Sequence, residues 1–250
     1  MILYFSGTGN SRYVAEALGH HLNDTVCSLA PYLREDTAPV FTSEQPFVIV
    51  APIYAWRFPR RIEDLLRAAT FEGSDRIYFV GTMGANSGSC DSFCETIAAE
   101  KDMEFRGFQG VRMPNNYVPG GHIPDVTEAS RIVQTAVPII QDIAVTIRND
   151  DMLHKDDFTL FSDLMSKVVN AGFTRFPLKL SASDACIACG VCVDSCPLGN
   201  ITLDGDKPHF GKNCMNCFSC VHRCTTAAIY VGKHSALGSQ YVCIEYSAER

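Results

Sequence analysis

Cys186-Ile187-Ala188-Cys189-Gly190-Val191-Cys192-Val193-Asp194-Ser195-Cys196-Pro197 carries the spacing C-x2-C-x2-C-x3-C-P. Cys214, Cys217, Cys220 and Cys224 repeat it at a constant offset of 28 residues, from Cys186 to Cys214 at one end and from Cys196 to Cys224 at the other. Val193 and Ile201 recur at the same offset as Val221 and Ile229. A supersecondary unit has been duplicated, which predicts pseudo-twofold symmetry. Three thiolates in one tight loop wrap one face of a cubane, and the fourth ligand comes from the other repeat. The spacing therefore assigns one [4Fe–4S] cluster to Cys186, Cys189, Cys192 and Cys224. The second takes Cys214, Cys217, Cys220 and Cys196. A structural zinc site pairs two C-x2-C knuckles and has no use for three cysteines in one loop.

Outside this block the chain is ordinary. It has 250 residues, 46% hydrophobic and 20% charged, enough to bury a core over one or two domains. Only Cys27, Cys90 and Cys94 precede the block, and Cys243 follows it. A Cys-poor body with one Cys-dense segment fits metal ligation in a reducing, cytoplasmic setting better than a disulfide scaffold. A net charge of −7 repels a phosphate backbone, so nucleic-acid binding is not expected. The longest apolar run, Phe47 to Trp56, contains Pro52 and is far short of the ~20 residues of a membrane span. Met1-Ile2-Leu3-Tyr4-Phe5 has no basic n-region and reads as a strand rather than a signal peptide.

Residues 1–150 alternate strand and helix signals. Strands are expected at 2–5, 25–29, 47–51 and 77–80, and a weaker one at 105–113. Helices are expected from Asn10, from Pro59-Arg60, over 89–101 and over 125–148, the last bent at Pro138. Repeated βα units predict a parallel sheet with right-handed crossovers. Residues 151–183 read as a helical connector, with a stripe of Phe158, Phe161, Leu164, Met165, Val168 and Val169 and a cap at Gly172. The cysteine module spans 184–231 and a C-terminal tail 232–250.

Three loops at the carboxyl ends of the predicted strands converge on one ligand type. Ser6-Gly7-Thr8-Gly9-Asn10-Ser11 follows a strand and opens a helix, a cradle that can hold a phosphate without lysine. No Gly-Lys-Ser/Thr follows, and Arg12 replaces the last glycine of G-x-G-x-x-G. Pro52-Ile53-Tyr54-Ala55-Trp56 supplies aromatics, and Thr82-Met83-Gly84-Ala85-Asn86-Ser87-Gly88 is small and polar. Cradle, aromatic platform and polar rim suit a flat tricyclic flavin at the switch point of a doubly wound sheet.

The cysteine block resembles a bacterial two-cluster ferredoxin, with Thr225 where the second repeat would usually have proline. The N-terminal half resembles flavodoxin, whose phosphate loop S/T-x-T-G-x-S/T is matched by Ser6, Thr8, Gly9 and Ser11. Together they resemble flavodoxin–ferredoxin fusion proteins. The resemblance implies an α/β fold: a flavodoxin-like doubly wound parallel sheet of order 2-1-3-4-5 beside a small α+β ferredoxin-like domain. It implies FMN, with the phosphate on residues 6–11. The isoalloxazine would meet Tyr54, Ala55, Trp56 and residues 82–88. That last loop lacks the family's stacking aromatic, a wall that Tyr117 would supply.

The expected function is electron transfer between two [4Fe–4S] clusters and FMN, exchanging with an external redox protein or small-molecule acceptor. The alternatives are an FMN-dependent reductase of a quinone or nitro compound, and a non-enzymatic redox or iron sensor. No general acid or base is indicated. Cys90 and Cys94 share a helix face and read as buried small hydrophobes rather than a redox pair. Arg57, Arg60 and Arg61 read as a solvated helix start, and His222 as exposed.

Overall fold

The computed structural model describes residues 1–154 and 178–246. Five parallel strands form its main sheet: β1 (Ile2–Tyr4), β2 (Val26–Ser28), β4 (Phe47–Pro52), β6 (Arg76–Met83) and β7 (Glu104–Arg112). Their order is β2-β1-β4-β6-β7. Counted among themselves, this is the 2-1-3-4-5 order of the flavodoxin-like doubly wound class. Strands β3 (Val40–Ser43) and β5 (Thr70–Gly73), which the sequence does not announce, pair as a small parallel ribbon. Both are short and largely exposed, with Phe41 as the one buried residue.

The sheet is buried on both faces, so β4 is apolar throughout rather than alternating. Val48 and Val50 meet α1 (Asn10–Leu22) and α5 (Val126–Arg148) through Val14, Leu18, Ile140 and Ile143. Phe47, Ile49 and Ala51 meet α2 (Ala30–Glu35), α3 (Arg60–Ala68) and α4 (Cys90–Glu100) through Leu33, Ile62, Leu66 and Ile97. Each such side chain, fully buried, stabilises the fold by about 1.5–3 kcal/mol.

Helix α5 runs unbroken through Pro138. Pro138 and Gln134 lie on its exposed side, where water can satisfy the carbonyl that the proline leaves unbonded. The buried stripe Val133, Ala136, Ile140 and Ile143 anchors both halves of the helix to one core.

In the cysteine module, β8 (Leu180–Ala182) pairs antiparallel with β11 (Ile229–Val231), and β12 (His234–Ser235) flanks β11. Strands β9 (Ile201–Asp204) and β10 (Lys207–Phe210) form a hairpin. Two short helices, α6 (Val191–Asp194) and α7 (Ser219–Arg223), carry Cys192 and Cys220. Residues 232–246 are tied to the first module: Tyr241 and Cys243 are buried in the core formed by α1 and α5. The stripe from Phe158 to Val169 and its cap at Gly172 lie outside the described residues. No described helix is long and apolar enough to cross a membrane.

Candidate cofactor sites

A cavity of about 310 Å³ opens at the carboxyl end of the main sheet, within the ~300–1,000 Å³ of small-molecule sites. From the expected flavin site it is lined by Ser6, Gly7, Thr8, Asn10, Ser11, Pro52, Ile53, Tyr54, Ala55, Trp56, Thr82, Met83, Gly84 and Tyr117. Gly9, Ala85, Asn86 and Gly88 do not line it. Asn86 instead holds the Trp56 ring, with Nε1 donating to Asn86 Oδ1 at 2.6 Å. Gly88 lies against that ring. Pro114, Asn115, Asn116, Asn216 and Phe218 line the cavity without having been expected. The first three follow β7, at the same sheet end as the other loops. The last two come from the cysteine module.

Helix α1 begins at Asn10 with Gly9 in the cap position and no side-chain cap. An uncapped N-terminus facing a cavity suits an anion. The loop is held in shape from outside: Asn116 Nδ2 donates to Thr8 Oγ1 at 2.8 Å, and Ser11 Oγ meets Thr82 Oγ1 at 2.7 Å. Its glycines make room for protein as well as ligand. A Cβ on Gly7 would stand 2.6 Å from the Cys217 carbonyl oxygen. Gly9 has φ +103, and a Cβ there would meet Cys243 at 2.9 Å. Both the cysteine loop and the C-terminal segment therefore press on the phosphate-type loop.

The turn at 54–57 is built without glycine. Tyr54 N donates to Arg57 O at 2.8 Å, and Ala55 and Trp56 both sit in the left-handed region at φ 50 and 63. Such residues cost ~1–3 kcal/mol each and persist only when their surroundings hold them. Here Asn86 holds Trp56, and Arg57 forms a forked ion pair with the buried Glu63 while lying over the Phe93 ring. Arg57 is thus a structural ion pair and not part of a solvated helix start. The Tyr54 hydroxyl is buried with no hydrogen-bond partner among the described residues. Burial and the nearby Cys217 and Cys214 raise its pKa. A buried, unpaired hydroxyl beside the cavity fits a site that is completed by a bound group.

Cys186, Cys189, Cys192 and Cys224 surround one cavity, and Cys196, Cys214, Cys217 and Cys220 a second. Among the described residues no three His, Cys, Asp or Glu converge closely enough to hold a single metal ion. The thiols line spaces instead. Backbone amides already point at sulfur: Asn200 N donates to Cys196 Sγ and Ala228 N to Cys224 Sγ, both at 3.3 Å, and these two bonds are repeat equivalents. Burial pushes the Cys217 thiol up to about 12 and Cys220 higher still. A bound cationic cluster is what would hold these sulfurs as thiolates. The Thr225 hydroxyl lies 3.9 Å from Cys189 Sγ.

The two cysteine cavities differ in setting. Cys189 is exposed and Ile187 is 64% exposed, so the first is an outer site. Cys217 and Cys220 are buried, and Phe218 lines both this inner cavity and the large one. Here the repeat symmetry fails. Asn216, Phe218, His222 and Arg223 stand where the first repeat has Ala188, Gly190, Asp194 and Ser195. Phe218 keeps the left-handed backbone of its glycine counterpart, φ 56 against 79. His222 is buried, not exposed: its Nε2 pairs with Asn116 O at 2.8 Å and its Nδ1 accepts from Tyr241 N at 3.1 Å. Cys90 and Cys94 are buried in the main core, as expected for small hydrophobes.

Residues 179–225 match the family model of the 4Fe-4S dicluster domain. No curated protein matches the chain. Among solved structures, the chain is similar to a flavodoxin from the domain Archaea, 16% identical over 59% of this chain and 96% of that one, with a TM-score of 0.34. An FMN-dependent NADH-azoreductase from Bacillus anthracis, in complex with FMN, is 14% identical over 58% of this chain and 97% of that one, with a TM-score of 0.34. The Trp repressor binding protein from Bacillus subtilis is 13% identical over 63% of this chain and all of that one (100%), with a TM-score of 0.34. By its own strand order, then, the first module is flavodoxin-like, and a 4Fe–4S dicluster domain follows it in the same chain.

Proposed function

We propose that this chain is an electron-relay protein with three cofactor sites in series: an outer [4Fe–4S] cluster, an inner [4Fe–4S] cluster and FMN. The clusters supply one-electron steps and the flavin can store a pair. Cys186, Cys189, Cys192 and Cys224 would hold the outer cluster, and Cys196, Cys214, Cys217 and Cys220 the inner one. Residues 6–11 and the start of α1 would take the FMN phosphate, and residues 52–56, 82–84 and Tyr117 would surround its ring system.

One observation carries the reading. Phe218 lies in sequence between Cys217 and Cys220, two buried residues of the inner site, and lines both that cavity and the large one, so the two spaces share a wall. The chain's own role is positional. Its strained turn at 54–57 and its doubly anchored loop at 6–11 hold the ring and phosphate ends of one cavity, and Phe218 keeps water out of the junction. Exposure of Cys189 and Ile187 makes the outer site the place of exchange with an external redox protein or small-molecule carrier. A flavin face open to substrate would favour the reductase alternative, but Tyr117 and Phe218 both line that cavity.

Purification without air tests the assignment. The account expects iron, sulfide and FMN at ~8:8:1, as two cubanes and one flavin require. Cys196→Ala should halve the iron and remove the cluster nearer the flavin, leaving the outer cluster's signal. Zinc in the thiol sites, or a chain that takes up no flavin, would refute it.

A further inference from the structure

We propose that Arg223, contributed by the cysteine module, positions the phosphate loop of the first module and supplies its positive charge. The inference rests on the FMN reading above and names a residue that the phosphate-loop pattern lacks.

Arg223 Nη1 donates to the Gly7 carbonyl oxygen at 2.8 Å and to Ser219 Oγ at 3.2 Å. Among the described residues no carboxylate pairs with it, whereas Arg12, the other cation nearby, is tied to Glu16 and Glu245. The Gly7–Thr8 peptide is trans, so its carbonyl and its N–H point in opposite directions. Holding the Gly7 carbonyl toward the cysteine module therefore turns Thr8 N–H the other way, and both residues line the cavity. The loop has no basic residue of its own among 6–11. A guanidinium one peptide behind it both fixes a donor and adds a positive charge, with no carboxylate partner among the described residues, beside the uncapped start of α1.

The repeat shows that this placement is not a ferredoxin requirement. The equivalent residue in the first repeat is Ser195, whose hydroxyl stays within its own loop, donating to Cys192 O at 3.3 Å. The arginine occurs only in the repeat whose loop lies against residues 6–11.

FMN and riboflavin differ by the phosphate alone, so their affinities isolate the effect. Full-length, cluster-loaded protein would be titrated with each by flavin fluorescence, with iron content measured in the same samples. The expectation is that Arg223→Met weakens FMN about tenfold, the size of a charge-assisted contact of ~1.5 kcal/mol. Riboflavin binding should hold, and Arg223→Lys should restore most of the difference. Equal losses for both flavins, no loss for either, or a methionine variant whose iron and FMN losses the lysine variant does not repair would each overturn the proposal. Wild-type protein that binds FMN no better than riboflavin would instead refute the phosphate-loop reading on which it stands.

Discussion

The Phe218 ring meets the Tyr117 ring edge to face, with centroids 5.7 Å apart and planes at 65°. Tyr117 belongs to the loop after β7, and Phe218 stands between Cys217 and the first residue of α7. The contact is therefore a joint between two modules made at the rim of the cavity, and such pairs contribute ~0.5–1.5 kcal/mol beyond their burial. Around it lie His222 on Asn116, Arg223 on Gly7, and Cys243 N donating to Thr8 O at 2.7 Å. This part of the interface thus falls on residues that wall the proposed flavin site or lie directly behind them.

Restoring the repeat at this joint, by Phe218→Gly, is expected to cost stability on balance. Losing a buried phenylalanine costs ~3–5 kcal/mol, while releasing a left-handed non-glycine residue returns ~1–2. A net loss of about 2–3 kcal/mol should appear in urea unfolding. Both clusters should remain, since no ligand is touched, while flavin affinity falls.

At Ala55 the balance runs the other way. Its φ of 50 costs ~1–2 kcal/mol, and glycine would add only ~0.4–1 kcal/mol of unfolded-chain entropy. Ala55→Gly should leave the protein as stable or up to about 1 kcal/mol more stable, read as a higher urea midpoint with unchanged slope. A clear loss would mean that the turn is not strained.

Arg34 braces the inner ligand Cys196 from across the module boundary. Its Nη2 donates to the carbonyls of Val193, Asp194 and Cys196, at 3.2, 2.7 and 2.6 Å. Arg34→Ala should cost about 1–2 kcal/mol and speed the bleaching of visible absorbance in air. Because one nitrogen makes all three bonds, lysine, with three donors on its ammonium, should restore most of the loss.

Burial, then the hydrogen bond with Cys90, holds the Cys94 thiol well above its ordinary value of 9.0. The folded state therefore favours the neutral thiol. That stabilisation is complete below the ordinary value and is lost as pH climbs beyond it, so urea midpoints should fall on the alkaline side. Native protein should resist iodoacetamide at Cys90 and Cys94 but react at the half-buried Cys27, with all three labelled once unfolded. Labelling of Cys94 in native protein would contradict its place in the core.

Much of this was legible in the chain itself. Phe47–Ala51 and Ile77–Val80 are continuous β-branched and aromatic runs because both faces of their strands are covered. The eight cysteines stand out as candidate cluster ligands because a cubane would take three thiols from one loop. The ribbon of β3 and β5 escaped because each strand is short and mostly exposed. Phe218 escaped for another reason. A lone phenylalanine between cysteines reads as filler, and only its mismatch with Gly190 at the 28-residue offset marks it. Arg223 against Ser195 and Asn216 against Ala188 carry the same signal. Departures from the internal repeat locate the module interface, which no local periodicity could reveal.

Rapid-mixing kinetics test the central claim most directly. Air-free, fully loaded protein would be mixed with a one-electron donor, and flavin and cluster absorbance followed together. Transfer through the Phe218 junction predicts that the clusters reduce first and the flavin follows in a first-order phase whose rate does not change with protein concentration. Flavin reduction that never follows the clusters, or whose rate scales with protein concentration, would contradict it.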